Sequence, residues 1–233
     1  MVELESKNGI FTIYIPRSFT SDTVIEISCA LERVEEFSGP TALIFASKNP
    51  KIFSAGMDLK FLGKNGSSAA AKLFYSLMRL YGKILKIGVP TIAAINGYAI
   101  AGGLILALAC DYRVMNKDTG TARMTEINMG MPLPRGGNSI LGAKLTPDVH
   151  RDLLFRGKTF SPQECLDRKV VDVLAPDGEV MNKALEIAKE VMQFGEKKEV
   201  YSMLKISTYY DAIRLGEEAK YTQGELDCVN AKL

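Results

Sequence analysis

The sequence has a single histidine, His150, among its 233 residues. A Ser-His-Asp triad would have to be built on it. Yet it stands between Val149 and Arg151 beside a helix start, and no G-x-S-x-G occurs in the chain. It reads as a capping or surface residue. The four cysteines, Cys29, Cys110, Cys165 and Cys228, lie far apart without a C-x-x-C pair. Zinc-type sites need clustered Cys and His, so no metal is expected. The thiols read as reduced and mostly buried, with Cys110, at the end of an apolar run, as packing rather than a nucleophile. An excess of one charge is also missing: 29 Lys and Arg against 27 Asp and Glu leave +2. There is no dense basic run. The nearest thing, Lys197-Lys198, is flanked by Glu196 and Glu199. A nucleic-acid partner is therefore not expected. Phosphate loops of the G-K-[ST] and G-x-G-x-x-G kinds are absent. The opening M-V-E-L-E-S-K carries acids and no apolar core, so no signal peptide is expected.

One long uncharged stretch, Ile87 to Cys110, has the length of a membrane span. Pro90 and the turn signal Asn96-Gly97 interrupt it, and Asp111 follows at once with no basic flank. A buried strand, a turn and a buried helix describe it better, and no membrane span is expected. The hydrophobic share, 47%, is that of a globular chain with one sizeable core.

Strand and helix periodicities alternate along the first three quarters. Asn8-Gly9 predicts a turn ahead of a strand around Ile10-Thr12-Tyr14. Val24, Ile27, Leu31 and Val34 recur at helical spacing, and Thr41 to Ala46 is a short apolar strand. Ala70, Leu73, Phe74, Leu77, Tyr81 and Ile84 mark a second amphipathic helix. Thr91 to Ile95 is a buried strand, Ala101 to Ala109 a buried helix, and Val114 lies in a further strand. Thr146-Pro147-Asp148 and Ser161-Pro162-Gln163-Glu164 are helix starts. Val170 to Leu174 reads as a last strand, and Asp177-Gly178-Glu179 opens a helix through Met192. Glu196 to Val229 reads as helical, with Tyr209 and Tyr210 exposed. The class is α/β.

Two glycine-bearing turns carry the chemical interest: Phe53-Ser54-Ala55-Gly56-Met57-Asp58-Leu59 and Asn96-Gly97-Tyr98-Ala99-Ile100-Ala101-Gly102-Gly103. Glycine lets backbone approach a ligand, and a helix start presents free N–H groups. Two such turns on adjacent strands can aim two donors at one oxygen, which is how an oxyanion hole is built. Taken singly, each is more readily a plain strand-to-helix turn.

These segments resemble the two signatures of the crotonase, or enoyl-CoA hydratase/isomerase, superfamily. The similarity continues through Cys110-Asp111-Tyr112-Arg113, Glu126-Ile127-Asn128-Met129-Gly130 and Leu154 to Asp172, so it spans about Ala42 to Asp172. Pro16-Arg17-Ser18-Phe19 departs from the Asn-Ala-Leu pattern usual after the first long strand. The resemblance implies a crotonase-like spiral of β-β-α units in residues 1–190. Residues 191–233 would be a helical C-terminal region that joins subunits into a homotrimer or hexamer. It implies oxyanion donors at the N–H groups of Met57 and Gly102. Ala55, Gly56, Asp58 and Leu59 would line the CoA side, with Thr125 beside the reacting centre. Lys51 is a candidate for the CoA phosphates and equally a solvated loop lysine.

Hydratases of this family carry two glutamates. Here the first position is Ile105 and the second is Glu126. Water addition shares its proton transfers between two groups, whereas moving a double bond from C3 to C2 needs one base. Met124, Ile127, Met129 and Met131 surround Glu126 with apolar side chains, which raises a carboxylate's pKa. An ion pair with Arg123 is the plainer alternative. T-E-I-N-M-G-M-P-L-P also resembles the Δ3,Δ2-enoyl-CoA isomerases, plant peroxisomal ones included. The implied activity is isomerisation of 3-enoyl-CoA to trans-2-enoyl-CoA in fatty acid β-oxidation. No metal or redox cofactor is called for, since CoA is part of the acyl-CoA substrate. The alternatives are a hydratase using another acid such as Asp58, a thioester hydrolase, a decarboxylase, or a non-catalytic acyl-CoA binding protein. The terminal Ala231-Lys232-Leu233 is similar to an S-K-L address and gives a peroxisomal expectation, cytoplasmic otherwise.

Overall fold

In the computed structural model the described residues are 1–219. Strands β1 (Glu3–Lys7) and β2 (Ile10–Tyr14) form a hairpin whose two-residue turn is Asn8-Gly9. Both turn residues have positive φ, 52° and 79°, as a primed turn requires. Helix α1 (Ser21–Glu36) follows, capped by Thr20, whose side chain accepts from the Thr23 N–H while the Thr23 hydroxyl accepts from the Thr20 N–H.

The next elements come in units of two strands and a helix. β3 (Ala42–Ala46) and β4 (Ile52–Ser54) lead into the long α2 (Leu59–Lys86). β5 (Thr91–Ile95) and β6 (Tyr98–Ile100) lead into α3 (Gly102–Ala109). β7 (Tyr112–Asn116) and β8 (Thr121–Arg123) lead into the single turn α4 (Glu126–Met129). Helices α5 (Arg135–Lys144) and α6 (Pro147–Leu154), strand β9 (Thr159–Phe160), helix α7 (Pro162–Asp167) and strand β10 (Val173–Ala175) come next. The described chain closes with α8 (Val180–Val191), a 3-10 turn over Met192–Glu196, α9 (Lys198–Thr208) and α10 (Tyr210–Glu217).

The first strand of each unit joins one sheet and the second joins another. The larger sheet has the order β1-β2-β3-β5-β7-β10 and the smaller β4-β6-β8-β9. Apart from the β1–β2 and β8–β9 pairs, neighbours run parallel. This is the crotonase-like spiral with helices along its C-terminal part.

Period-two alternation explains why the central strands read as unbroken apolar runs. Phe11, Ile13, Leu43, Phe45, Ala93 and Ile95 face the core under α1, α2 and α3. Their alternates Ile10, Ala42, Ile44, Ala46, Ile92 and Ala94 face α8, which meets them with Ala184, Ala188 and Val191. A parallel sheet covered on both faces has no polar side. Small Ala side chains let α8 lie close to it.

The uncharged Ile87–Cys110 stretch is β5, a turn, β6 and α3. No helix among the described residues is long and apolar enough to cross a membrane. Two local expectations shift. The last strand is Val173–Ala175 rather than Val170 to Leu174, because Val170 and Val171 instead close α7, donating to the Cys165 carbonyl. The C-terminal helix breaks at Tyr209, the residue shared by the end of α9 and the start of α10. Its remainder, with Cys228 and Ala231-Lys232-Leu233, lies outside the described residues. Tyr210 is exposed as expected, but Tyr209 is half-buried and its hydroxyl accepts from Lys144 Nζ at 3.0 Å.

Helix α10 packs across both α2 and α5. A Cβ placed on Gly136 of α5 would lie 2.8 Å from Gly216 Cα of α10. Lys205 is the buried residue of α9 and points inward to Asp111. Its outward neighbours Val200, Met203 and Leu204 are exposed and apolar.

Candidate active site

The two glycine turns meet in space. Gly56 has φ +77°, and a Cβ built on it would sit 2.8 Å from the Gly102 nitrogen and 3.2 Å from Gly102 Cα. Only glycine permits that backbone and that approach. The first turn is held from behind by Pro16–Phe19, the segment that departs from the family pattern. Arg17 O accepts from Ala55 N at 2.7 Å, Phe19 N donates to Gly56 O at 2.7 Å, and Asp58 N donates to Phe19 O at 3.0 Å. Gly56 N donates to Ser54 Oγ. Ala55, Gly56 and Asp58 are thus satisfied internally, and Met57 N has no acceptor among the described residues. Gly102 opens α3, and the first N–H of a helix has no intrahelical acceptor. Two free donors therefore stand side by side.

The residue before Gly102 is strained. Ala101 has φ 50° and ψ −121°, a conformation that costs a non-glycine residue on the order of 1–3 kcal/mol. Its N–H donates to Arg123 O at 2.8 Å and its carbonyl accepts from Ile105 N at 3.0 Å.

Met57 and Gly102 border a cavity of about 610 Å3, mouth included. Its walls come from α2 (Phe74, Leu77, Met78, Tyr81), from Ile105 of α3, and from Met129 at the end of α4 with Met131, Pro132 and Leu133 beyond it. Glu126 is its one carboxylate among the lining residues. Its Oε2 accepts from Thr125 N at 2.7 Å, and burial pushes its carboxyl above the ordinary range against the opposing pull of backbone N–H groups. No ion pair joins it to Arg123 among the described residues, so the plainer alternative does not hold.

Of the residues singled out from sequence, Ala55, Met57, Leu59, Gly102, Thr125 and Glu126 line the cavity. Gly56 lies behind it. Asp58 is the N-cap of α2, its Oδ1 accepting from Lys60 N and Phe61 N at 2.9 and 3.0 Å, so its carboxylate is committed to the helix start. Lys51 precedes β4 at the end of the strand remote from Met57, where its carbonyl accepts from Tyr98 N. It is not among the lining residues.

His150 pairs with Asn138 at 2.8 Å and is not at the cavity. Burial holds the Cys110 thiol up at about 12, which keeps it inert. No group of His, Cys, Asp or Glu among the described residues is placed to hold a metal.

Sequence reasoning missed Tyr81 as a site residue, taking it as part of an apolar stripe. It is fully buried and borders the cavity, and its hydroxyl donates to Gly102 O at 2.8 Å. The available signal was the phenol itself, since a buried tyrosine hydroxyl needs a partner.

The family model described as enoyl-CoA hydratase/isomerase matches residues 5–228. The chain is 31% identical over 221 residues to Enoyl-CoA delta isomerase 2, peroxisomal, of Arabidopsis thaliana, covering 90% of this chain and 92% of that one. It is 26% identical over 195 residues to the short-chain-enoyl-CoA hydratase of Clostridium acetobutylicum, covering 82% and 74%. The crystal structure of human mitochondrial delta3-delta2-enoyl-CoA isomerase superposes with TM-score 0.82 at 25% identity, covering 98% of this chain and 89% of that one.

Proposed function

We propose, from the premise that this chain belongs to the enoyl-CoA hydratase/isomerase family, that it is an isomerase taking 3-enoyl-CoA to trans-2-enoyl-CoA. The observation that carries this reading is the single carboxylate. Glu126 is the one carboxylate among the residues lining the cavity, and the apolar Ile105 shares the wall with it. One base suffices to take a proton from C2 and return it to C4. Water addition is better served by two acids.

In the proposed reaction the thioester oxygen lies between the Met57 and Gly102 N–H groups. Proton removal at C2 builds negative charge on that oxygen, and each preorganised donor is worth roughly 3–4 kcal/mol to the resulting dienolate. The raised pKa of Glu126 suits it to both halves of the shuttle: it is basic enough to take the proton and acidic enough to give it back. The apolar walls exclude water that would otherwise compete for the dienolate. CoA enters as part of the substrate, and the reaction asks for no further cofactor. An acyl-CoA of fatty acid β-oxidation is the substrate class in this reading.

The same reading includes self-association through the outward face of α9, supported by exposed Val200, Met203 and Leu204. A peroxisomal setting is supported by the similarity to the peroxisomal isomerase of Arabidopsis thaliana, and is tested by fusing residues 224–233 to a fluorescent reporter. The activity is tested by supplying trans-3-hexenoyl-CoA and crotonyl-CoA side by side. Rapid formation of the 2-enoyl product with slow hydration of crotonyl-CoA is expected. Hydration outpacing isomerisation would favour the hydratase reading, and tight binding without either reaction would favour an acyl-CoA binding protein.

A further inference from the structure

Two peptide planes meet at Gly102 Cα, and glycine on its own leaves them free to rotate against each other. The plane before it follows Ala101, whose φ of 50° is one an alanine does not keep without restraint. Hydrogen bonds to Arg123 O and from Ile105 N hold Ala101 on that side. The plane after Gly102 enters α3 and is held from the side as well: the Tyr81 hydroxyl donates to Gly102 O at 2.8 Å. Tyr81 Oη also lies 2.8 Å from where a Cβ on residue 102 would stand, so it fills the space beside the glycine as well as bonding to it. The ring is wholly buried in α2, with Leu77, Met78, Ile84 and Leu85 around it in the same core. The hydroxyl therefore has a fixed origin. Burial and the nearby Glu126 charge both oppose ionisation of the phenol, so it remains a donor.

We propose that Tyr81 is a positioning residue for the reaction: by anchoring the peptide plane after Gly102, its hydroxyl holds Gly102 Cα at the head of α3, so that the preceding plane, which carries the Gly102 N–H, keeps facing the thioester oxygen while Ala101 stays in its strained conformation. Tyr81 acts through Gly102 and does not itself touch the reacting atoms. Because the same side chain borders the cavity, it also ties the donor turn to the helix that forms the acyl wall. The inference rests on the reading of Met57 and Gly102 as oxyanion donors.

The test uses Tyr81→Phe, Ala101→Gly and the double variant. Two readouts are taken: kcat and KM for 3-hexenoyl-CoA, and the ultraviolet red shift of bound 2,4-hexadienoyl-CoA. The shift reports how strongly the thioester carbonyl is polarised, whether or not turnover occurs. Tyr81→Phe keeps the ring and its packing. It is expected to lower kcat about 10-fold, short of the 10²–10³-fold loss when an oxyanion donor is removed outright. KM should stay within about two-fold, and the red shift should shrink. Ala101→Gly alone relieves strain, keeps both backbone hydrogen bonds of residue 101, and is expected to lower kcat less than Tyr81→Phe does. Combined with Tyr81→Phe it should deepen the loss beyond the product of the single effects, because the two planes then keep only their backbone hydrogen bonds around two freely rotating glycines.

Unchanged kcat and red shift in Tyr81→Phe would overturn the proposal. So would a rise in KM alone, which would make Tyr81 only a wall of the pocket. If the unaltered protein shows the red shift but no isomerisation, the proposed reaction fails while the positioning role is still decided by the shift in Tyr81→Phe. Absence of the red shift in the unaltered protein would sink both.

Discussion

Replacing Gly56 by alanine probes the meeting of the two turns at one atom. The added Cβ would stand 2.8 Å from Gly102 N and 3.2 Å from Gly102 Cα, with Ile100 O at 3.4 Å. All three are backbone atoms, so no side chain can rotate away. The left-handed φ of +77° adds about 1–2 kcal/mol for an alanine. With the forced separation of the turns, a total destabilisation of about 2–3 kcal/mol is expected, comparable to overpacking a core. For a chain of this size that lowers Tm by roughly 4–12 °C. The contact spreads the Met57 and Gly102 donors by several tenths of an ångström. Misplacements of about 1 Å cost on the order of 10²-fold, so a fall in kcat of roughly 10- to 100-fold is expected at temperatures where the variant is folded. Thermal unfolding followed by circular dichroism, with isomerase kinetics 20 °C below the measured Tm, separates the two effects. A folded Gly56→Ala protein with undiminished kcat would refute the argument that these turns form one donor pair.

Four further outcomes are expected. Glu126 must be ionised to take a proton and its pKa is raised by burial, so kcat/KM should climb with pH through a midpoint above the ordinary carboxylate value of about 4.3; a midpoint at or below it would contradict the burial. Since the folded chain holds this proton more tightly than the unfolded chain, stability attributable to Glu126 is lost as pH rises through that midpoint, and Glu126→Gln should melt no lower than the unaltered protein at pH 7. Lys205 pairs with Asp111 at 3.0 Å, an oxygen that also accepts from Thr91 N, Thr91 Oγ1 and Tyr201 Oη; Lys205→Ala leaves that carboxylate half-compensated and should cost about 3–5 kcal/mol by denaturant titration. Light scattering should show a trimer or hexamer that Met203→Glu with Leu204→Glu converts to monomer, and a monomeric unaltered protein would remove α9 as an association surface.

What the sequence discloses depends on how local the cause is. The Asn8-Gly9 turn and the Ser161/Glu164 capping box are local and form as expected. The apolar strands of the larger sheet are legible because both of their faces are buried. The short strands β4, β6 and β8 have three residues each, too few for a period to show, and exist because each pairs with the next. Glu126 was found through its apolar neighbours and the resemblance. Asp58 was offered as a ligand or spare acid, but an aspartate directly before an amphipathic helix is a cap, and here it is one. Tyr81 escaped notice because its role depends on a partner 21 positions away, across two strands.

The central claim is that one carboxylate moves the proton, and the rate of 3-hexenoyl-CoA isomerisation by Glu126→Gln tests it most directly. The amide keeps the shape of the side chain and can still accept from Thr125 N. A fall of about 10²–10⁴-fold in kcat is expected for loss of a general base, with the red shift of bound dienoyl-CoA retained. Isomerisation at the unaltered rate would contradict the account and place the base elsewhere.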